Sequence, residues 1–346
     1  MIDYKTLEER IVDSYLIQSA IKFVKRDKSK LTEKDQMILF DFTKNIYTTI
    51  KNNPEILFKE FHNDDAHPNR FNCSSYNKPD LKKHMRKAIK TIDDFLYIIY
   101  SIGLGNDIKI PKKYHDLYNI IGIDNNKKIH EVLKQFIGKE KLSFHNFIRC
   151  MYSENYKYFV EIFGQFIEDQ KAYERLIKWL IDNDYIYVPF LVNSEVKNSE
   201  SCGFGFYKKV KNDDKEAYNF SMYRHWNIGL FMDYNVLIQE PVIYDLRIQS
   251  VRNILEKFNE LDDILKNFIC NYHARCNGCN YCIQRHLKKS KNVKTFARIV
   301  EHNNKKLALC PINYVYSYCW NTLDDKMVDG IIAFLKLMEK EHNLLK

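Results

Sequence analysis

Tyr185-Ile-Tyr-Val-Pro-Phe-Leu-Val192 and, a little further on, Cys202-Gly-Phe-Gly-Phe-Tyr207 break the pattern of everything before them. Both runs are short and aromatic, and polar turns bound them, which is the composition of strands. Met222 to Met232 and Pro241 to Tyr244 read the same way. Together they predict a small antiparallel sheet. Gly203-Phe-Gly205 lies inside one of these runs; it lacks the third glycine and following helix of a nucleotide-binding turn, so it reads as strand or bulge. The aromatic strands around Tyr223, His225, Trp226 and Phe231 read as a packed sheet face.

Upstream, the periodicity is helical. Thr32-Glu-Lys-Asp35 resembles a capping box, and Met37, Ile38, Phe40, Phe42 and Ile46 follow it. Pro79-Asp80 opens a clearer helix, with Leu81, Met85, Ala88, Ile92, Phe95 and Ile99 spaced by three and four and Gly103 at its end. Residues 104–127 carry Gly105, Pro111 and Asp124-Asn125-Asn126 and read as a connection. One long helix is expected over 155–184. Downstream of the strands, a second long helix is expected from Asp245 to Cys270, and a terminal one opens at Thr322-Leu-Asp-Asp325. The fold class is therefore α+β and predominantly helical. We expect a helical domain over residues 1–150 and a mixed α/β domain over 151–346, the latter containing a cysteine module at 270–320.

Length and composition agree with a chain that buries a real core. It has 346 residues, 45% of them hydrophobic, 14% aromatic and 29% charged, which excludes a small disulfide scaffold and a mainly disordered chain. Ten glycines and seven prolines are few for a sandwich or propeller with many tight turns. The opening stretch Met1–Ile17 is acidic and amphipathic, unlike a secretory leader. The longest apolar run, Phe95 to Leu104, is too short to span a bilayer. The expected location is the cytoplasm, with reduced thiols and no membrane contact.

The module reads Cys270-Asn-Tyr-His273-Ala-Arg-Cys276-Asn-Gly-Cys279-Asn-Tyr-Cys282-Ile-Gln-Arg-His286, with Cys310-Pro311 and Cys319 further on. Thiols at every third residue are not the pattern of a core, where free cysteines occur singly. Strained adjacent disulfides do not suit a reducing compartment. Soft-metal ligation fits this spacing. Zinc wants four ligands in a tetrahedron, and Cys276 and Cys279, with Cys282 or His286 and Cys310, supply them. A [4Fe–4S] cubane wants one thiolate per iron, and a chain winding round it delivers one about every third residue. Cys270, His273, His286 and Cys319 are the spare donors, extra or outer-sphere. Over residues 276–311 the pattern resembles the single-cluster ferredoxin-type signature, three cysteines as CxxCxxC with a remote Cys-Pro. That resemblance implies an iron–sulfur cofactor, while the residues themselves leave zinc and the cluster equally open.

Charge concentrates in the same place. Between Cys270 and Cys310 nine Lys and Arg face the single acid Glu301, so this segment holds eight of the nine net positive charges of the chain. Four thiolates around a metal need some neutralisation. Arg275, Arg285, Lys288, Lys289, Lys291, Lys294 and Arg298 exceed that need, and Tyr272, Tyr281 and Phe296 interleave them. Such a loop suits phosphates and unstacked bases, although a solvated basic surface has the same composition. His62-Asn-Asp64-Asp65-Ala-His67, with Cys73 and His84, matches no defensible ligand spacing and reads as a polar loop. No HExxH, GxxxxGK[ST] or GxSxG occurs. The sequence thus points to a metal-binding interaction or regulatory protein whose metal-pinned basic loop binds nucleic acid. The alternative is a [4Fe–4S] redox protein, oxidoreductase or sensor built on the same four cysteines.

Overall fold

The computed structural model describes residues 6–25, 32–59, 61, 79–103, 105–123, 126–140, 156–191, 201–209, 227–236, 242–247, 251–276, 297–310 and 317–341. The chain forms two compact units. One comprises Met1–Phe166, Pro189–Phe204 and Asp233–Val242; the other comprises Ile167–Val188, Gly205–Met232 and Ile243–Lys346.

Helices dominate the first unit: α1 (Leu7–Lys25), α2 (Glu33–Asn52), α3 (Pro54–Leu57), α4 (Pro79–Gly103), α5 (Lys112–Ile121), α6 (Lys127–Glu140) and α7 (Tyr156–Gly164). Two of the expected helix starts are visible as chemistry. The Asp35 N–H donates to Thr32 Oγ1 at 3.2 Å, the N-cap bond, while the Thr32 hydroxyl donates to Asp35 Oδ2 at 2.8 Å. Pro79 stands at the first position of α4, where its missing N–H costs nothing. Helix α1 packs on α2, α4 and α7, and α2 also meets α5 and α6. Ile11, Leu39, Ile50, Ile92, Phe95, Leu117 and Val132 fill the space between them.

This core also encloses charge. Asp13 is fully buried; its Oδ2 accepts from the Tyr234 hydroxyl at 3.0 Å, and Lys51 Nζ lies 3.1 Å from Oδ1. The Lys51 ammonium also sits 4.7 Å from the centre of the Phe166 ring. Arg10 Nε donates to the Val236 carbonyl at 2.8 Å. A buried carboxylate is tolerable only when it is paired and hydrogen-bonded in this way.

The remaining elements are α8 (Gln170–Asp182), β1 (Ile186–Leu191), β2 (Ser201–Lys209), β3 (Asn227–Asn235), β4 (Val242–Arg247), α9 (Val251–Glu256), a 3-10 turn at Phe258–Glu260, α10 (Asp263–Tyr272), β5 (Arg298–His302), β6 (Lys305–Leu309), β7 (Ser317–Trp320) and α11 (Asp325–Glu341). Strands β1, β2, β3, β4 and β7 form a small antiparallel sheet in that order. The last pair runs antiparallel with Tyr244 opposite Trp320 and Asp245 opposite Cys319. Pro189 is tolerated in β1 because that strand is at the sheet edge. Within the second unit α11 packs on α8 and α10, and α10 meets β5 and β7. Phe268 is the hub there. Its ring lies 5.1 to 5.8 Å from those of Tyr272, Tyr318, Phe334 and Trp320.

Four expectations about elements are corrected. Residues 104–127 are not all connection, because Tyr114, Leu117, Tyr118 and Ile121 form the buried face of α5 and Pro111 is its cap. The helix expected over 155–184 is two helices, since the Asp169 side chain accepts from the Ala172 N–H and starts α8 afresh. The helix expected from Asp245 begins instead as β4 and is divided again where Asp262 caps α10 by accepting from the Leu265 N–H. The hairpin β5–β6 and strand β7 have no counterpart in the expectation.

Candidate metal centre

The module is built on the end of α10. His273 caps that helix, its N–H donating to the Ile269 carbonyl at 2.9 Å, and the chain then leaves as an extended segment, Ala274-Arg275-Cys276. This segment pairs with β6. The Cys276 N–H donates to the Ala308 carbonyl and the Cys310 N–H to the Ala274 carbonyl, both at 2.9 Å, with Arg275 opposite Leu309. Beyond β6 lies β5, joined to it by a tight turn whose Asn303 and Asn304 have φ of 49° and 60°. Both central residues with positive φ define the hairpin turn that matches strand twist, and asparagine tolerates that conformation. The result is a three-stranded antiparallel arrangement of segment, β6 and β5.

Side chains alternate across such a ladder. Arg275 and Leu309 point to one face, together with Val300 and Arg298, whose cross-strand partners are Leu307 and Leu309. Val300 and Leu309 are buried, and this face covers α9 and α10. Cys276, Ala274, Ala308 and Cys310 therefore share the opposite face, the one that carries Ile299 at 51% exposure. On that face Cys276 and Cys310 are diagonal neighbours, the cross-strand relation with Cβ atoms within roughly 8 Å. Both are free thiols. Two of the four cysteines singled out for a metal are thus brought together by the backbone hydrogen bonds of the ladder. Cys279 and Cys282 lie outside the described residues, as do His286 and the His62–Cys73 stretch. Among the described residues, no three potential ligands come together.

The spare donors have other surroundings. His273 is buried, with Nε2 2.7 Å from the Cys310 carbonyl and Nδ1 2.7 Å from the Tyr318 hydroxyl. A carbonyl only accepts, so Nε2 carries a proton and donates. Burial pushes this imidazole down to about 4; its bond to the Cys310 carbonyl opposes the shift, and the Arg275 charge adds to it. The ring is neutral at pH 7, and Nδ1 accepts from the Tyr318 O–H. Both ring nitrogens are thus engaged, one of them by the carbonyl of Cys310. Cys270 is buried on α10, where desolvation raises its thiol above the usual range and the Arg275 cation partly offsets this. Cys319 is placed by backbone register on β7, opposite Asp245.

Of the seven basic residues read as polyanion contacts, Arg275 and Arg298 are described. Both cap helices. Arg275 donates to the Cys270 carbonyl at the end of α10, and Arg298 donates to the Leu255 and Glu256 carbonyls at the end of α9. A guanidinium in that position satisfies orphan carbonyls and complements the negative end of the helix dipole. These bonds seat the hairpin on its helices. Arg285, Lys288, Lys289, Lys291 and Lys294 lie outside the described residues.

The fold and site define a mainly helical α+β protein with a cysteine-bearing hairpin module near its C-terminus. No protein-family model matches the chain, and no curated protein or solved structure is similar to it. No helix among the described residues is long and apolar enough to cross a membrane.

Proposed function

We propose that Cys276, Cys279, Cys282 and Cys310 hold one tetrahedral metal–thiolate centre, Zn²⁺ or a [4Fe–4S] cluster, and that this centre fixes a basic loop for binding nucleic acid. The observation that carries the reading is the register: a remote cysteine and the first cysteine of the CxxCxxC run are diagonal neighbours on one face of a ladder. Four soft sulfur donors suit these two occupants, and hard cations such as Mg²⁺ and Ca²⁺ are disfavoured by them. The metal would close the run from Cys276 to Cys282 onto Cys310 and so orient what lies between Cys282 and β5. With Arg275 and Arg298 engaged as helix caps, Arg285, Lys288, Lys289, Lys291 and Lys294 remain as the cations for phosphates.

Metal analysis of anaerobically purified protein tests the centre. One zinc per chain, or about four irons with matching sulfide and a brown colour, is the expected result. Cys279→Ser is expected to lower the metal content at least tenfold. Full stoichiometry in that variant, or a wild-type protein that holds no metal after reconstitution with either zinc or iron and sulfide, removes the reading.

A further inference from the structure

Cys310 is held at both of its peptide groups by residues at the end of one helix. Its N–H donates to the Ala274 carbonyl, and its carbonyl accepts from His273 Nε2. The first bond constrains φ of Cys310 and the second constrains ψ. Once both are fixed, the thiol has only χ1 to choose, and a staggered side chain has three choices. Cys310 is also followed by Pro311, which has no N–H of its own. The next backbone donor that anchors a strand would therefore come later in the chain, and the imidazole supplies the anchor at this point. The imidazole is itself oriented: Tyr318 on β7 donates to Nδ1, its ring stands 5.2 Å from the His273 ring at a steep angle, and both side chains are buried.

We propose that His273 is a positioning residue for the metal centre: oriented by Tyr318, it donates from Nε2 to the Cys310 carbonyl and holds that ligand ready for the metal. This rests on the four-cysteine reading above. It assigns the histidine a task without making it a ligand. Outer-sphere hydrogen bonds that orient a ligand are worth roughly 10- to 100-fold in metal affinity. The same contact links the centre to β7, and through the ring of Tyr318 to Phe268 and Phe334 of the aromatic cluster.

Two isosteric replacements separate the two nitrogens. Glutamine places an N–H where Nε2 lies, so His273→Gln keeps the donor to Cys310. Asparagine places an acceptor where Nδ1 lies, so His273→Asn keeps the partner of Tyr318 and loses the donor. Affinity for Zn²⁺ is measured anaerobically by competition with a chromophoric chelator. If the isolated protein is brown, the lifetime of the iron–sulfide cluster against an iron chelator replaces it. Melting of the metal-free proteins is followed separately. The expected result is a loss of about tenfold or more for His273→Asn and about threefold or less for His273→Gln, with the two metal-free variants melting alike. Tyr318→Phe removes only the hydroxyl that orients the ring; it is expected to lose a few-fold in affinity, and it serves if the asparagine variant does not fold. Equal affinities for wild type, Asn and Phe variants overturn the positioning role, while the centre stands provided Cys279→Ser still lowers the metal content at least tenfold. A wild-type protein that binds neither zinc nor a reconstituted cluster overturns both.

Discussion

Gly330 sits in the middle of α11, and the reason is Phe268 of α10. A Cβ built on Gly330 would lie 2.2 Å from Phe268 Cδ2, 3.0 Å from Cγ and 3.1 Å from Cε2. Ordinary carbon contacts are about 3.5 to 4 Å, so the nearest is too close by more than an ångström. The ring cannot swing aside cheaply. It is 3% exposed and walled by Tyr272, Tyr318, Trp320 and Phe334. Overpacking of this kind costs about 1–3 kcal/mol, and the walled ring places Gly330→Ala near the upper end. Against it stands the gain of about 1 kcal/mol for replacing glycine by alanine inside a helix. The net expectation is a destabilisation of about 2 kcal/mol, or a Tm lower by roughly 4–8 °C in a unit of this size. Thermal melts followed by circular dichroism measure it. In a Phe268→Leu background the obstructing ring is gone, so the same Gly330→Ala change is expected to be neutral or stabilising, giving a coupling energy of about 2–3 kcal/mol between the positions. A higher Tm for Gly330→Ala in the wild-type background, as an unconstrained helix would give, refutes the close approach of α10 and α11.

Three further outcomes are expected. Asn304→Gly, at a turn position with φ of 60°, should stabilise the β5–β6 hairpin by up to about 1 kcal/mol; a lower Tm on a urea or thermal melt would contradict the turn geometry. Asp13→Asn should cost about 1–3 kcal/mol, because the fully buried carboxylate accepts from Tyr234 and faces Lys51; urea denaturation that leaves the midpoint unchanged counts against a structural role for the pair. For the basic loop, affinity for a mixed-sequence single-stranded oligonucleotide should fall as salt rises. Neutralising Lys288, Lys289 and Lys291 together should reduce the log–log salt slope by about 2 units, and no binding at low salt removes nucleic acid as the partner.

What the sequence made legible divides by range. Helix starts with local chemistry were readable: Thr32 with Asp35, and Pro79, occur where the capping rules put them. The aromatic strands were readable for the same reason, because packing on a pleated surface selects their composition. Interruptions inside an unbroken apolar rhythm were not. Asp169 and Asp262 each start a new helix by accepting one backbone hydrogen bond, and neither disturbs the periodicity around it. The β5–β6 hairpin was hidden because Arg298–His302 and Lys305–Leu309 are too charged to resemble strands, and Asn303-Asn304 was the one local signal for it. At the site, the spacing of the cysteines is written in the sequence. The pairing that brings Cys276 beside Cys310 is not, since strand register is a relation between distant residues. The capping role of Arg275 and Arg298 was invisible for a related reason: a count of charges records their sign and not the carbonyls they face.

That non-local pairing also sets the energetics of any metal bound there. In an unfolded chain, bringing Cys310 to Cys276 closes a loop of roughly 35 residues, an entropy cost of about 3 kcal/mol apart from a constant. Cys279 and Cys282 each close only a three-residue step, for roughly 1 kcal/mol on the same scale. The expensive closure is the one that the ladder makes without metal, through the Cys276 and Cys310 N–H bonds and the seating of the hairpin on α9 and α10 by Arg298 and Arg275. A closure cost of about 3 kcal/mol corresponds to about two orders of magnitude in affinity. Of the proposed donor set, Cys276 and Cys310 are placed by folding, so the closures left to metal binding are the short ones.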